Sequence, residues 1–169
     1  MSVRFGETLA ALVRHEVDFI VVGMAAGVLR GAPVTTVDID VVHRRTPENV
    51  TRLLAALGEL HAVYRGDPRR LVPTESHLLG PGHQLLTTVN GDLDCLGAID
   101  GGKSYEDLRA AASELDVGAT HPVCVLELPA LIEIKRRAGR PKDLAVIPIL
   151  EATLDEVLRG SSSGGGSGA

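Results

Sequence analysis

Two aspartates in one short apolar segment are the residues best suited to chemistry. Asp38 and Asp40 flank Ile39 within residues 36–42, where acidic and β-branched residues alternate. Residues two apart on a strand point to the same face, so the two carboxylates would project side by side. Like charges that close repel unless a cation lies between them, and Mg²⁺ binds carboxylate oxygens together with substrate phosphates. The pattern predicts a magnesium site; the alternative is the solvated acidic face of an edge strand.

A third aspartate lies in a predicted hairpin. Asp94 has apolar neighbours in a strand over residues 92–99, which the dipeptide Asn90-Gly91, typical of type I′ turns, joins to a strand over residues 84–89. If Asp94 faces the first two aspartates, the three complete a two-metal site for phosphoryl transfer. Asp92 shares the face of Asp94, but it adjoins the turn and we interpret it as a turn residue.

Lys135 lies in the middle of the apolar stripe of a predicted helix over residues 128–138. A lysine at such a position either extends past the edge of the core or points into a cleft, and the spacing alone leaves both open. In a cleft that holds a triphosphate, its charge would have a partner.

The elements that must position these residues follow from periodicity and turn residues. We predict an α+β (α/β) fold, a small mixed twisted sheet with helices packed on it and a C-terminal helical pair. Helices are predicted over residues 5–16, 24–30, 47–57, 104–112, 128–138 and 142–158, strands over residues 18–23, 36–42, 84–89, 92–99 and 123–126, and a long surface loop over residues 66–82.

Length predicts one domain over residues 1–159, because the last ten residues, 160–169, contain only Gly, Ser and Ala. We interpret that tail as a flexible linker or a cloning remnant. The absence of a long apolar run and of a signal-peptide pattern predicts a cytoplasmic protein that does not bind membranes. The two cysteines, Cys95 and Cys124, lack metal-site or disulfide spacing and are expected to be buried thiols.

The charge and aromatic content argue against a dedicated nucleic-acid binder. The net charge is −5 and aromatic residues make up 2% of the chain. A grip on duplex DNA needs clustered positive charge, and single-strand binders stack bases on aromatic rings. Stable binding of duplex DNA is therefore not expected, although a brief contact with an RNA end is compatible with this composition. The basic pairs at 44–45, 69–70 and 136–137 are interpreted as solvated faces, or as a guide for a polyanion if they border one cleft.

Two segments resemble a known family. Residues 19–40, FIVVGMAAGVLRGAPVTTVDID, resemble the signature of the nucleotidyltransferase superfamily with the DNA polymerase β-like fold, and most of all its minimal bacterial and AbiEii-type toxin branch. Residues 128–144, LPALIEIKRRAGRPKDL, are similar to the family's C-terminal Lys and Arg-x-Lys-Asp motif. The resemblance covers roughly residues 17–150.

The resemblance implies an activity and a site. The activity is transfer of a nucleoside monophosphate from an NTP to the hydroxyl of an RNA or tRNA end, a small molecule or a protein, with two Mg²⁺ ions, or Mn²⁺, as cofactor. A toxin of this branch would have a cognate antitoxin protein as partner. The implied metal ligands are Asp38, Asp40 and Asp94, the third of which is alternatively the base; the implied nucleotide-binding residues are Gly23, Met24, Lys135, Arg140, Lys142 and Asp143.

Two departures from the family pattern leave a second possibility open. Met24 stands where relatives have Gly or Ser, and Val34 where relatives often have Arg. Neither side chain donates a hydrogen bond to phosphate. The alternative function is thus a non-catalytic protein of this fold that binds nucleotide weakly or binds a protein partner.

Overall fold

The computed structural model describes residues 3–163 and arranges them in seven strands and seven α-helices. The strands are β1 (Phe19–Val22), β2 (Asp38–His43), β3 (Val63–Tyr64), β4 (His83–Thr88), β5 (Gly91–Leu96), β6 (Ala112–Leu115) and β7 (Val123–Leu126). The helices are α1 (Val3–Arg14), α2 (Gly23–Leu29), α3 (Pro47–Glu59), α4 (Glu75–Leu79), α5 (Tyr105–Leu108), α6 (Leu128–Ala138) and α7 (Pro141–Ser163).

All the strands form one mixed sheet in the order β3-β4-β5-β2-β1-β7-β6. β1 runs antiparallel to β2 and parallel to β7, while β2 runs parallel to β5. The remaining neighbours are antiparallel pairs. The predicted α+β fold with a mixed sheet and a C-terminal helical pair is confirmed. β1 and β2 lie in the middle of the sheet, and β1 is buried along its whole length. β2, which carries the acidic pair, is paired with a strand on each side.

Local sequence signals mark the ends of α3 and α6. The side chain of Thr46 accepts a hydrogen bond from the backbone N–H of Asn49, and Pro47 occupies the first turn of α3. At the other end of the chain, Gly139 ends α6 in the left-handed conformation, with φ 65°. The chain then turns at Arg140 and begins α7 at Pro141, which confirms the predicted helical pair.

Three elements were not predicted. Residues 66–82, predicted as a loop, contain α4, whose capping box pairs Thr74 with His77 instead of the usual acidic residue or glutamine. The helix predicted over residues 104–112 ends early: α5 and a short 3-10 helix give way to β6 at Ala112, which pairs with β7. β3 has two residues, too few for a periodic pattern.

Two predicted details are wrong. The β4–β5 hairpin is present, but Asn90 does not have a positive φ, so the turn is not type I′. Instead Gly91 has φ 120°, and the hydroxyl of Thr88 bridges the turn by donating to the carbonyl of Gly91. The last helix is also longer than predicted, since α7 includes residues 160–163 of the Gly/Ser tail; residues 164–169 lie outside the described part.

Neither cysteine of the chain is in a disulfide. Cys95 is buried and Cys124 is partly buried, and burial raises the pKa of the Cys95 thiol to about 12. Among the helices of residues 3–163, none is long and apolar enough to cross a lipid bilayer.

Candidate active site

The parallel pairing of β2 with β5 brings four carboxylates to one face of the sheet. Asp38 is in register with Asp92, and Asp40 with Asp94. Paired residues share a face, and so do residues two apart on a strand. One carboxylate oxygen from each of Asp38, Asp40 and Asp94 lies within 4.8 Å of the others. The structure thus brings together the three aspartates that the sequence singled out, which we call the acidic triad.

Negative charge exceeds positive charge around Asp40. Burial, a hydrogen bond to Asp94 and the charges of Asp94 and Asp38 raise the pKa of Asp40 to about 7, against the opposing effect of Lys135. Three oxygen donors this close, with more negative charge than their surroundings balance, suit a hard divalent cation such as Mg²⁺. The residues therefore fit the metal that the resemblance implies.

Gly23 lies directly against Asp40 of the acidic triad. It ends β1 and begins α2 with φ 62°, a left-handed conformation that favours glycine. A Cβ atom added there would overlap Oδ2 of Asp40. Gly23 therefore allows both the turn and the close approach of backbone to carboxylate.

The two departures from the family pattern have apolar surroundings. The side chains of Met24 and Val34 are partly buried and pack against the hydrophobic core. Met24 can therefore offer a ligand only its backbone N–H, and Val34 offers no side-chain donor.

Lys135 is directed into the protein and not past the edge of the core. Its side chain is 15% exposed, and Nζ donates a hydrogen bond of 2.9 Å to Oδ1 of Asp143. Asp143 is buried and accepts a second hydrogen bond, at Oδ2, from Nε of Arg140. Burial acts to raise the pKa of Asp143, but the hydrogen bonds from Arg140 and Lys135 lower it overall. The charge of Lys135 also acts to lower the pKa of Asp40, so this lysine is near enough to influence the acidic triad.

The C-terminal motif residues divide into two kinds. Asp143 is fully engaged with Lys135 and Arg140, so it supports the lysine. Arg140 has a side chain that is 60% exposed, and Lys142 is exposed and makes no ion pair with any residue of the described chain. Of Arg140, Lys142 and Asp143, the first two therefore have side chains exposed to a ligand.

Arg65 is a site residue that the sequence analysis missed. It follows β3 and reaches across β4, where Nη2 donates a 2.5 Å hydrogen bond to Oδ1 of Asp94. Its Nε lies 3.1 Å from Oδ2 of Asp92, in an ion pair whose angle does not suit a hydrogen bond. Asp92, interpreted above as a turn residue, is thus part of the charged cluster. No motif marks Arg65, because it reaches Asp94 only through sheet pairing.

Comparison with known proteins identifies the fold. No protein-family model matches the chain, and no curated protein matches it. Among solved structures, TM1012 from Thermotoga maritima, which is named as a nucleotidyltransferase, superimposes with a TM-score of 0.56 at 19% identity, over 90% of this chain and 91% of its own. The antibiotic-resistance factor ANT(2'')-Ia, in solution, gives 0.58 at 19% identity, over 95% of this chain and 90% of its own. Its crystal structure with adenylyl-2''-tobramycin gives 0.58 at 20% identity, over 93% of each chain.

The chain has the nucleotidyltransferase fold. The AbiEii-type branch is not represented among these structures, so that affiliation stays a prediction from the resemblance. At such identities the likeness concerns the fold, and the roles of individual residues must be argued from the site itself.

On this nucleotidyltransferase fold, the positive charge of the basic pairs is largely balanced by acidic neighbours. Most of their members are engaged in ion pairs with nearby carboxylates. Arg44 pairs with Asp18 and Glu106, Arg69 with Asp67, Arg136 with Glu151, and Arg137 with Asp100 and Glu133. The interpretation of these pairs as solvated faces fits these contacts better than a guide for a polyanion.

A crevice of about 350 Å³ is lined by Asp92 but by no residue of the acidic triad. Ile39, which also lines it, points to the opposite face of β2 from Asp38 and Asp40. The polar lining of the crevice consists of Thr8, Thr35, Thr36, Asn90 and Asp92, and the rest is apolar. No lysine or arginine is among the described residues that line it. Neutral or cationic groups would suit this crevice better than phosphates.

Proposed function

We propose that the protein is a Mg²⁺-dependent nucleotidyltransferase that moves a nucleoside monophosphate from an NTP to an acceptor hydroxyl and releases pyrophosphate. The observation that carries this proposal is the convergence of Asp38, Asp40 and Asp94 within 4.8 Å on a nucleotidyltransferase fold. A solvated acidic face would not be built from partly buried carboxylates, of which Asp94 and Asp38 help to raise the pKa of Asp40.

The residues of the acidic triad would hold two Mg²⁺ ions, which Mn²⁺ could replace. When bound, such ions stabilise the entering and leaving oxygens of an in-line displacement at the α-phosphate. Asp94 would be the third ligand or would accept the proton of the acceptor hydroxyl. Gly23 carries no side chain, which allows the Asp40 carboxylate to lie directly against the backbone at the start of α2.

The nucleotide would be held by groups at the start of α2 and by basic residues of the C-terminal helical pair. The backbone N–H groups of Gly23 and Met24 would face the phosphates. Lys135, oriented by Asp143, would place its charge on the triphosphate, where it balances negative charge that develops on the leaving pyrophosphate. Arg140 and Lys142 would contact the nucleotide or the acceptor from the exposed side.

We propose a small molecule as the acceptor. The arginine pairs are largely engaged with carboxylates, so a polyanion has little to bind. ANT(2'')-Ia, of the same fold, is known in complex with the small-molecule product adenylyl-2''-tobramycin. An RNA end, a protein acceptor, a toxin role and an antitoxin partner stay predictions from the family resemblance.

One observation favours a second candidate. Met24 and Val34 turn apolar side chains toward the core at positions where the family has phosphate-binding groups. A non-catalytic protein that binds nucleotide weakly, or binds a protein partner, would tolerate both residues.

Transfer of label from each α-³²P-labelled NTP separates the two candidates. Protein and Mg²⁺ are incubated with a small-molecule cell extract, with total RNA, or alone. We expect label in the small-molecule fraction, abolished in Asp38→Asn/Asp40→Asn and retained in the control Asp155→Asn, which changes an exposed carboxylate on α7. Transfer that survives the double variant would overturn the site assignment. No transfer, together with no Mg·NTP-dependent rise in melting temperature, would favour the non-catalytic candidate.

A further inference from the structure

Arg65 is held in a fixed position beside the third carboxylate of the acidic triad. Its backbone N–H donates to the carbonyl of Leu85 at 3.0 Å. Its Nη2 donates to the carbonyl of Leu86 at 3.0 Å and to Oδ1 of Asp94 at 2.5 Å. The side chain is 32% exposed. The contact to Leu85 thus holds the backbone of Arg65, and the contact to Leu86 holds its guanidinium beside Asp94.

A second carboxylate of β5 contacts the same guanidinium. Oδ2 of Asp92 lies 3.1 Å from Nε of Arg65. Asp92 is itself held, because Oγ1 of Thr87 donates a 2.8 Å hydrogen bond to its Oδ1. Polar contacts therefore run from Thr87 through Asp92 and Arg65 to Asp94. We call these four residues the β4–β5 relay.

We propose that Arg65 is a positioning residue, which holds Oδ1 of Asp94 so that this carboxylate stays oriented to bind a divalent cation with its other oxygen. This inference rests on the proposed function, since it assumes that the acidic triad binds metal. A planar guanidinium fixes the direction of a carboxylate better than an ammonium group does. Partners of this kind, one shell outside the metal, commonly determine how well a ligand is presented.

Charge alone would have the opposite effect. A fixed positive charge next to a metal ligand repels an incoming cation, so its removal would strengthen metal binding. If Arg65 acts by orienting Asp94, its removal weakens metal binding although the net charge of the site becomes more negative. A lysine keeps the charge but loses the two-nitrogen geometry, so it separates the two effects as well.

Titration calorimetry with Mn²⁺ alone, without nucleotide, tests this role. We expect Arg65→Met and Arg65→Lys each to bind Mn²⁺ about tenfold more weakly than the unaltered protein. We also expect Asp94→Ala to cost less affinity in the Arg65→Met background than in the unaltered protein, because both changes act on the same ligand. The control Arg69→Met removes an exposed arginine of the same segment, paired with Asp67, and should leave binding unchanged.

Each outcome decides the inference. Unchanged or tighter Mn²⁺ binding by Arg65→Met, full affinity in Arg65→Lys, or additive losses with Asp94→Ala would overturn it, and so would an unaltered protein that binds no Mn²⁺. Circular dichroism checks folding, and Arg65→Lys decides the matter if Arg65→Met does not fold.

Weaker Mn²⁺ binding by the variants of a protein that transfers no nucleotide would leave the positioning role standing and refute the proposed function. Transfer activity with Mn²⁺ binding unaffected by Arg65 would do the reverse.

Discussion

Gly23 and Asp40 are packed so closely that a single Cβ atom at position 23 would overlap Oδ2 of Asp40. Gly23 is also in the left-handed conformation, with φ 62°. The conformation of the turn between β1 and α2 and the position of the Asp40 carboxylate therefore depend on each other. A side chain at position 23 would change the backbone and the acidic triad together.

Gly23→Ala should therefore impair both stability and activity. We expect a loss of about 2 kcal/mol in the free energy of unfolding, from the positive φ and the overlap with Asp40, and a large fall in nucleotidyl transfer. Urea unfolding and the label-transfer assay measure the two effects. Gly58→Ala is the matched control, because no atom lies within 4 Å of a Cβ there and the position is inside α3, where alanine should stabilise slightly. A Gly23→Ala protein as stable as the Gly58→Ala protein would contradict the interpretation.

The stability of the metal-free protein should fall as pH rises through about 7. The pKa of Asp40 is raised from 3.8 to about 7, mainly by burial and then by Asp94 and Asp38. Between these values the folded state binds a proton that the unfolded state does not, so raising the pH favours unfolding. From pH 5.5 to pH 8 the expected loss is about 2 kcal/mol.

Urea unfolding in EDTA at the two pH values measures this effect. Asp40→Asn should flatten the dependence, and Asp155→Asn should keep it. Mg²⁺ should restore more stability at pH 8 than at pH 5.5, because protonation competes with metal for the same carboxylates. A stability that is independent of pH over this interval in the unaltered protein would contradict a raised pKa of Asp40.

The residues of the acidic triad could be predicted from the sequence because each lies in a segment with the pattern of a β-strand, in which residues two apart share a face. Asp38 and Asp40 share a face by that spacing, and the hairpin signal placed Asp94 on another strand. Their convergence depends on β2 pairing in parallel with β5, a long-range contact that no local pattern specifies. The family resemblance implied Asp94 as the third ligand, but the parallel pairing that brings it there was not predicted.

Arg65 and Asp92 show where sequence reasoning stopped. Arg65 lies next to a strand of two residues and is separated from Asp94 in the chain by a loop, a helix and β4. Its function depends on the order of three strands, and an isolated arginine after a two-residue strand has no periodicity to mark it. Asp92 was assigned to turn chemistry because a position beside Gly91 suits a turn, while its ionic partner is remote in sequence.

Lys135→Met should reduce activity and stability by separable routes. It leaves the buried Asp143 with Arg140 as its one remaining ion-pair partner among the described residues, so we expect a loss of about 2 kcal/mol in the free energy of unfolding. It also removes the charge that we assign to the triphosphate, so kcat should fall by about 100-fold. In the double variant Lys135→Met/Asp143→Asn, urea unfolding should show most of the stability recovered, while the label-transfer rate stays low. Recovery of activity along with stability would mean that Lys135 acts only in folding.

Met24→Ser should strengthen nucleotide binding if the proposed phosphate site is correct. Serine adds a hydroxyl donor at the residue after Gly23, where the present side chain packs against the core and offers phosphate only its backbone N–H. We expect the KM for the NTP to fall about threefold to tenfold, the effect of one hydrogen bond to a charged group. The free energy of unfolding should drop by about 1 kcal/mol, because a partly buried apolar side chain is lost. Met24→Ala is the matched control, which loses the same packing without gaining a donor, so its KM should not fall. A KM that is equal in the serine and alanine variants would place the phosphates away from the start of α2.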